Sequence, residues 1–468
     1  MANTIQISCF NGQAIAVFGL GRSGVSVAHA LIAGGADVRA WDDSDASRAS
    51  ATAENIPLVD LYSSDWSDIA ALVISPGVPI EHPAPHPIAK LARDAGVEII
   101  GDMELLARSG IDAGIVGITG TNGKSTTTKI VECIFEASGS QTSSGGNIGV
   151  PVLDLEPLDK DGTYVFEISS YQLDLTASLG LDVAMLLNIS ADHLDRHGGF
   201  DGYVAAKKKI FHMLKASATA IIGVDDDACR GIAQALEDDG VSVVRISGAG
   251  PVAGGVYMDG GVLYDDLGDG NAVAVLDMTQ AQALPGIHNA QNAAAAYAVG
   301  RAAGISPDVI VRALKSFPGL AHRQELVAVI DGVSYVNDSK GTNAEAASRA
   351  LACYGNVYWI AGGLAKDGGL DAVTPYLDRI RHAYLIGEAA NDFQAVLEPG
   401  VACTVSGTLD VAVGAARLSA ISDNHNDPVV LLSPASASFD QFPDFEARGE
   451  AFRSAVAALP GVREEARS

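Results

Sequence analysis

One short segment constrains the fold of this chain more than any other feature. Gly120-Thr121-Asn122-Gly123-Lys124-Ser125-Thr126 follows an apolar run, Gly114–Thr119, and opens a stretch with helical periodicity, Lys124–Ala137. A buried strand that turns through glycines into a helix is a phosphate loop. The backbone N–H groups from Gly120 to Lys124 can cradle phosphates, Lys124 can reach the terminal ones, and Ser125 can ligate Mg²⁺. Ile118 stands where the strict G-x-x-x-x-G-K-[ST] pattern has its first glycine, but the Gly, Lys and Ser positions that the chemistry needs are kept. The plain alternative is a lysine that only starts a solvated helix. Such a loop demands an α/β domain with a mostly parallel sheet.

A second unit of this kind opens the chain. The strand Ala14–Phe18, the turn Gly19-Leu20-Gly21-Arg22-Ser23-Gly24 and a helix at about residues 23–33 lead to a further strand, Asp37–Trp41, with Asp42 and Asp43 lying 18 and 19 residues beyond Gly24. Read alone, the G-x-G-x-x-G pattern says NAD and a dehydrogenase. Its physics suits any nucleotide diphosphate, with the aspartates accepting from a ribose or base. A turn needed only for tight strand-to-helix packing is the bland reading. With the phosphate loop present, ATP is the better nucleotide.

A chain of 468 residues exceeds one ordinary core, and at roughly 100–200 residues per domain it should form about three. Restarts near Ser109-Gly110 and Phe317-Pro318-Gly319 divide it at 1–109, 110–319 and 320–468. Apolar strands are expected at 70–74, 163–168, 183–189, 333–336, 357–360, 383–386 and 429–432, a proline-rich loop at 81–87, and an alanine-rich helix at about 289–303. The acidic clusters 225–227 and 265–269 read as solvated turns. A formal charge of −27 opposes binding to nucleic acid or anionic membranes. Five separated cysteines without a C-x-x-C pair fit a reducing compartment. With no signal-like start and no long apolar run, a cytoplasmic chain without membrane insertion is expected.

In open α/β sheets ligands lie beyond the carboxyl ends of the strands. Glu167 sits in one such strand, Tyr164-Val165-Phe166-Glu167-Ile168, where a metal would compensate a buried carboxylate. A buried ion pair or a hydrogen-bonded acid is the equal alternative. After another strand come Asp192-His193-Leu194-Asp195-Arg196-His197, whose two histidines and two aspartates could ligate metal or phosphate. Lys207-Lys208-Lys209 follows, and composition gives no preference among the three.

Taken in order, these segments resemble the Mur ligase family. The resemblance runs through nearly the whole chain. It rests on residues 19–24, Ser75-Pro76-Gly77-Val78, residues 120–126, Gly145-Gly146-Asn147-Ile148-Gly149, Glu167-Ile168-Ser169-Ser170-Tyr171-Gln172-Leu173 and Asp192-His193-Leu194-Asp195-Arg196. Further on it rests on His288-Asn289-Ala290-Gln291-Asn292, Gly319-Leu320-Ala321-His322-Arg323, Asn337-Asp338-Ser339-Lys340-Gly341-Thr342-Asn343 and the segment 432–442. The last two favour the member that adds D-glutamate. Ser436 stands where the family commonly has cysteine, and the wording of 362–367 departs from the usual pattern.

The resemblance implies a Rossmann-like N-terminal domain for a UDP substrate, a central phosphate-loop ATPase-like domain, and a C-terminal Rossmann-like α/β domain for the amino-acid acceptor. It implies an ATP-dependent amide ligase of peptidoglycan precursor synthesis, joining D-glutamate to UDP-N-acetylmuramoyl-L-alanine through an acyl phosphate, with a monomer expected. One Mg²⁺ would lie near Ser125 and Glu167 and a second near His193 and Lys207, the latter as a carbamate. Gly21, Arg22, Ser23, Asp42, Asp43, Ser75, Gly77 and Asn147 would hold the UDP substrate. Asn292, Arg323 and Asp338 would join the loop in binding ATP, and Lys340, Thr342, Lys366, Ser438 and Phe445 would bind D-glutamate. The competing readings are a related Mur-type or folylpolyglutamate-type ligase with another acceptor, an NAD-dependent dehydrogenase, and an NTP-driven regulatory protein.

Overall fold

The computed structural model describes residues 5–268, 270–281, 283–284, 286–365 and 369–464. They form three α/β sheets. The first has strand order Asp37–Trp41, Ala14–Phe18, Ile69–Ile74, Glu98–Ile100, all parallel. The second is nine-stranded, and toward one side Leu181–Leu186, Gly114–Thr119 and Thr163–Glu167 lie side by side in parallel. Its edge carries Val256–Asp259, Val262–Asp265 and Val273–Asp277 as an antiparallel meander. The third sheet has seven strands, with Val333–Asn337, Pro428–Leu432, Asn356–Gly362, Ile380–Ile386 and Cys403–Gly407 parallel and Glu325–Ile330 antiparallel at one side.

By packing, the chain divides into two compact units: Met1–Gln282 with Ile287–Phe317, and Ala283–Gly286 with Pro318–Ser468. The first two sheets share one unit, and a single apolar cluster runs from Ile15 and Val17 of the first to Ile115 and Phe166 of the second. The central strands read Ala-Ile-Ala-Val-Phe and Thr-Tyr-Val-Phe-Glu and are almost wholly buried, as strands covered by helices on both faces must be. Gly24 lets the first helix, Arg22–Ala33, start tight against its strand, since a Cβ there would come 1.7 Å from the Gly19 carbonyl oxygen.

Three expectations need correction. The strand expected at 183–189 is Leu181–Leu186, because the backbone beyond it turns to the phosphate loop, where the Asn188 carbonyl accepts from the Thr121 N–H at 2.9 Å. Pro87 does not end the proline-rich loop but opens the helix Pro87–Asp94, where a missing N–H costs nothing. The acidic cluster 265–269 is not a solvated turn over its described part. Asp265 is buried, pairs with Arg301 and accepts from the Tyr297 hydroxyl at 2.8 Å. Asp266, also buried, accepts from the Gly254 N–H. Among the described residues no helix is long and apolar enough to cross a membrane.

Candidate active site

The phosphate loop lies at the carboxyl end of Gly114–Thr119 and opens the helix Lys124–Ala137. Gly123 is left-handed at φ 85°, and a Cβ on it would come 2.2 Å from Oδ1 of Asn292, so only glycine seats that asparagine against the loop. Asn292 is buried; it accepts from the Thr127 hydroxyl at 3.3 Å and donates to Asn289 at 3.1 Å. Not every loop amide faces outward. The Thr121 N–H donates to the Asn188 carbonyl and the Asn122 N–H to Asn188 Oδ1, each at 2.9 Å. Their hydrogen bonds therefore turn inward, which corrects the expectation of a cradle running from Gly120 to Lys124. The helix that opens at Lys124 turns its positive end toward this loop, which suits an anion.

Two lysines meet at one carbonyl. Lys124 Nζ donates to the Gly120 C=O at 2.9 Å and to the Thr121 C=O at 3.0 Å, and Lys207 Nζ donates to the same Gly120 C=O at 2.8 Å. Lys207 is 1% exposed and sits 4.6 Å over the Tyr203 ring. Burial above all, and then the neighbouring Lys124 charge, push its ammonium down to about 7. This singles out Lys207 from its two neighbours.

Glu167 ends its strand 2% exposed. Its Oε1 accepts from Asn147 Nδ2 at 2.7 Å, while Oε2 is buried with no hydrogen-bond partner. The hydroxyl of Thr119, at the end of the neighbouring strand, is also buried and unpartnered. His193 is exposed and left-handed at φ 50°. Its ring packs 5.1 Å from Tyr171 and 6.4 Å, edge to face, from Tyr203. His197 plays another part: it is buried, bonds the Ser170 hydroxyl at 2.9 Å and faces Asp174 at 3.4 Å. Burial lowers its pKa, against the pull of Asp174. Of the two histidines, only His193 faces outward. No group of three or more His, Cys, Asp and Glu side chains capable of holding a metal occurs among the described residues.

In the first sheet the glycine turn is bound by its own neighbours. Asp42 accepts from the Leu20 N–H at 2.6 Å and the Ser44 N–H at 2.7 Å, so it shapes the turn that it was expected to serve. Asp43 accepts from the Tyr62 hydroxyl at 2.9 Å and faces His86 at 3.3 Å. The Ser75 hydroxyl donates to the Gly19 C=O at 2.7 Å, bringing residues 75–77 against the turn that carries Gly21, Arg22 and Ser23. Asn147 lies just past the second sheet's strand Thr142–Gly146, at Glu167.

The second unit gathers a separate set. Asp338 is buried; its Oδ2 accepts from the Ser433 hydroxyl at 2.7 Å and its Oδ1 from the Gln324 N–H at 3.2 Å. Burial raises its carboxyl to about 7 against the opposing effect of those bonds. Lys340 Nζ sits 5.1 Å over the Phe445 ring. Ser438 is 2% exposed, and Lys366 lies outside the described residues. Ser436 is fully buried with an unpartnered hydroxyl.

Two residues went unnoticed in the sequence. Asn188 grips the phosphate loop from both sides, also donating to the Asn122 C=O at 3.2 Å and to Gln291 at 2.8 Å; its place just past a central strand was the available signal. Arg448, 1% exposed, ties Ser339 to the Ser436 and Ala437 carbonyls, and no pattern in its helix announces it.

Known proteins resemble this chain in sequence and in fold. The profile of the Mur ligase middle domain matches residues 118–300, and that of the Mur ligase MurD-like N-terminal domain matches residues 13–101. A Caulobacter vibrioides protein named UDP-N-acetylmuramoylalanine--D-glutamate ligase is 52% identical over 463 residues, covering 97% of this chain and 98% of that one. A Rhodospirillum rubrum protein of the same name is 49% identical over 473 residues, covering 100% and 99%. Among solved structures, UDP-N-acetylmuramate-alanine ligase of Thermotoga maritima matches with a TM-score of 0.58 at 16% identity, over 95% of this chain and 99% of that one, a likeness of fold. Matched by both profiles and about half identical to such ligases along almost its whole length, the chain belongs to the Mur ligase family.

Proposed function

We propose that the chain joins D-glutamate to UDP-N-acetylmuramoyl-L-alanine at the expense of ATP, in a cytoplasmic step of peptidoglycan precursor synthesis. The observation that carries the chemistry is that Lys124 and Lys207 share the Gly120 carbonyl just past the strand Gly114–Thr119, beside which Glu167 ends the neighbouring strand; the names of the full-length relatives carry the substrates. The substrate carboxylate attacks the γ-phosphorus, the bond to the bridging oxygen breaks, and ADP leaves. The D-glutamate amine then attacks the acyl carbon, phosphate departs, and the amine loses a proton as the amide forms. Lys124 and the Gly123–Ser125 amides stabilise charge on the transferred phosphoryl group.

The residues present suit Mg²⁺. Glu167 Oε2 is a buried acceptor without a donor, which a cation would satisfy. Ser125 and Glu167 would hold one ion, and His193 with carbamylated Lys207 a second; such ions neutralise phosphate charge and polarise the phosphoryl oxygens. Carbamylation fits the setting of Lys207. A neutral amine is the form that adds CO₂, and the resulting anion would lie beside the Lys124 cation, replacing repulsion by attraction. Asp42, Asp43, Ser75, Gly77 and Asn147, with the glycine turn, hold the UDP substrate. Asn292, Arg323 and Asp338 join the loop in binding ATP, and Lys340, Thr342, Lys366, Ser438 and Phe445 bind the acceptor. The domains are proposed at 1–109, 110–319 and 320–468, in a monomer.

Phosphate release from ATP by the full chain, measured against a panel of amino acids, should require both the UDP-sugar peptide and D-glutamate. Better turnover with another amino acid would overturn the acceptor. Lys124→Ala should abolish acyl-phosphate formation, and near-normal turnover would exclude the phosphate-loop role. Lys207→Ala should be rescued in part by acetate; rescue at Lys208 or Lys209 instead would move the carbamate.

A further inference from the structure

Arg196 has no part in the chemistry above, yet it joins the loop assigned to the sugar nucleotide to the residues assigned to the reacting centre. It lies in the short helix Leu194–His197, directly after His193. Its Nη1 donates to the Gly77 carbonyl at 2.6 Å, and its Nη2 donates to those of Pro76 and Val78, each at 3.3 Å. The guanidinium lies 4.5 Å over the ring of Tyr171, four residues beyond Glu167. On its other side the loop is held by Ser75, whose N–H donates to the Phe18 carbonyl and whose hydroxyl donates to that of Gly19.

Packing holds this loop on one side only: Val78 packs against the core around Phe18 and Ile74, while the other side borders a cleft of about 350 Å³ lined by Pro76, Val78, Tyr171 and Arg196 among others, so no close-packed wall on that side sets the position of the three carbonyls. A guanidinium can set it, being always charged, able to stack on an aromatic face, and built as a rigid fork of donors that meets several acceptors at once. An ammonium would reach the same carbonyls only as a point charge.

We propose that Arg196 is a positioning residue that fixes the Pro76-Gly77-Val78 backbone in register with His193 and Glu167, so that the carboxylate of the sugar nucleotide arrives in line with the transferred phosphoryl group. This rests on reading residues 75–77 as part of the sugar-nucleotide site and His193 as part of the reacting centre. Misplacing a bound reactant by a fraction of its length is costly in rate and affinity, whereas groups that only touch ATP or the acceptor are left as they were.

The test is steady-state kinetics on the full chain, varying each substrate in turn, with the thermal midpoint recorded for every variant. Arg196→Ala should raise KM for UDP-N-acetylmuramoyl-L-alanine by about tenfold or more while KM for ATP and for D-glutamate stays within about twofold. Arg196→Lys should fall between, and added guanidinium ion should recover part of the alanine variant's activity and none of the lysine variant's. An unchanged KM for the sugar nucleotide overturns the inference. So does an equal rise in all three KM values with a lowered midpoint, which would mark a residue that only supports the fold. If the alanine variant does not fold, the selective rise in Arg196→Lys decides alone. Failure of the unmutated chain to use the sugar nucleotide would sink the proposed function, and it is seen before any substitution is made.

Discussion

Lys207 and Asp338 show one physical cause acting in opposite directions. Each is an ionisable group taken out of water, and burial disfavours whichever form is charged, bringing the lysine down to about 7 and the aspartate up to about 7. Lys207 has a second cation beside it, which adds to the effect of burial, while Asp338 accepts from Ser433 and Gln324 and lies near the Arg323 and Arg448 charges, which oppose it. The consequence for Asp338 is a pH-dependent stability. Its folded pKa exceeds the ordinary 3.8, so between the two values the folded chain binds more protons than the unfolded one. Stability must therefore fall as pH rises through that window. The stabilisation is fully present below about pH 4 and lost by about pH 7, and a displacement of this size corresponds to something on the order of 4 kcal/mol. Asp338→Asn should flatten this dependence. Denaturation of the two proteins in the absence of nucleotide, from pH 4 to 7, should show the unmutated chain losing its advantage steadily; a constant difference would mean that Asp338 is already ionised throughout.

At the scale of elements, the apolar runs were legible and the junctions were not. Ala14–Phe18, Asp37–Trp41, Gly114–Thr119 and Lys124–Ala137 stand where hydrophobic pattern and glycine punctuation put them, because buried parallel strands and helix starts have strong local signatures. The antiparallel meander from Val256 to Asp277 had none: its strands are short and edged with Asp and Gly, and its stability comes from partners such as Arg301 and Tyr297, distant in sequence. The phosphate loop was readable as a loop, but the inward bonds of Thr121 and Asn122 depend on Asn188, which no local pattern links to it. The helix Asp102–Arg108 is a similar case. Its Glu104 is buried and accepts from the Ala177 N–H at 2.8 Å, the Ser178 N–H at 2.9 Å, the Ser178 hydroxyl at 2.7 Å and Arg108 at 3.0 Å. A segment close to the expected boundary at 109 is thereby stapled to the second sheet's turn. Glu104→Gln keeps the shape but turns an amide donor onto donors. It should cost about 2–3 kcal/mol, lower the thermal midpoint and speed hydrogen exchange at the amides of Ala177 and Ser178. Unchanged exchange there would show that the carboxylate does not hold the turn.

For the whole molecule, the formal charge of −27 looks hostile to phosphate ligands, yet it is a sum, and binding is decided by the few groups within a Debye length. Lys124 and a helix start concentrate positive potential at one strand end. The proposed ligands also divide between the compact units. Every residue assigned to the UDP substrate, from Gly21 to Asn147, falls in the first unit, while Lys340, Thr342, Ser438 and Phe445 fall in the second. Each unit has cores of its own, so calorimetry of the full chain should resolve two transitions. A ligand stabilises only what it binds, by about 2.7 kcal/mol at a concentration 100-fold above its Kd. Saturating UDP-N-acetylmuramoyl-L-alanine, with no nucleotide present, should then raise one transition by several degrees and leave the other in place. Hydrogen exchange in the same samples should assign the protected transition to the first unit. An equal shift of both transitions would mean that residues of the second unit take part in holding the sugar nucleotide, and the assignment of its site to residues 21–147 would have to be extended.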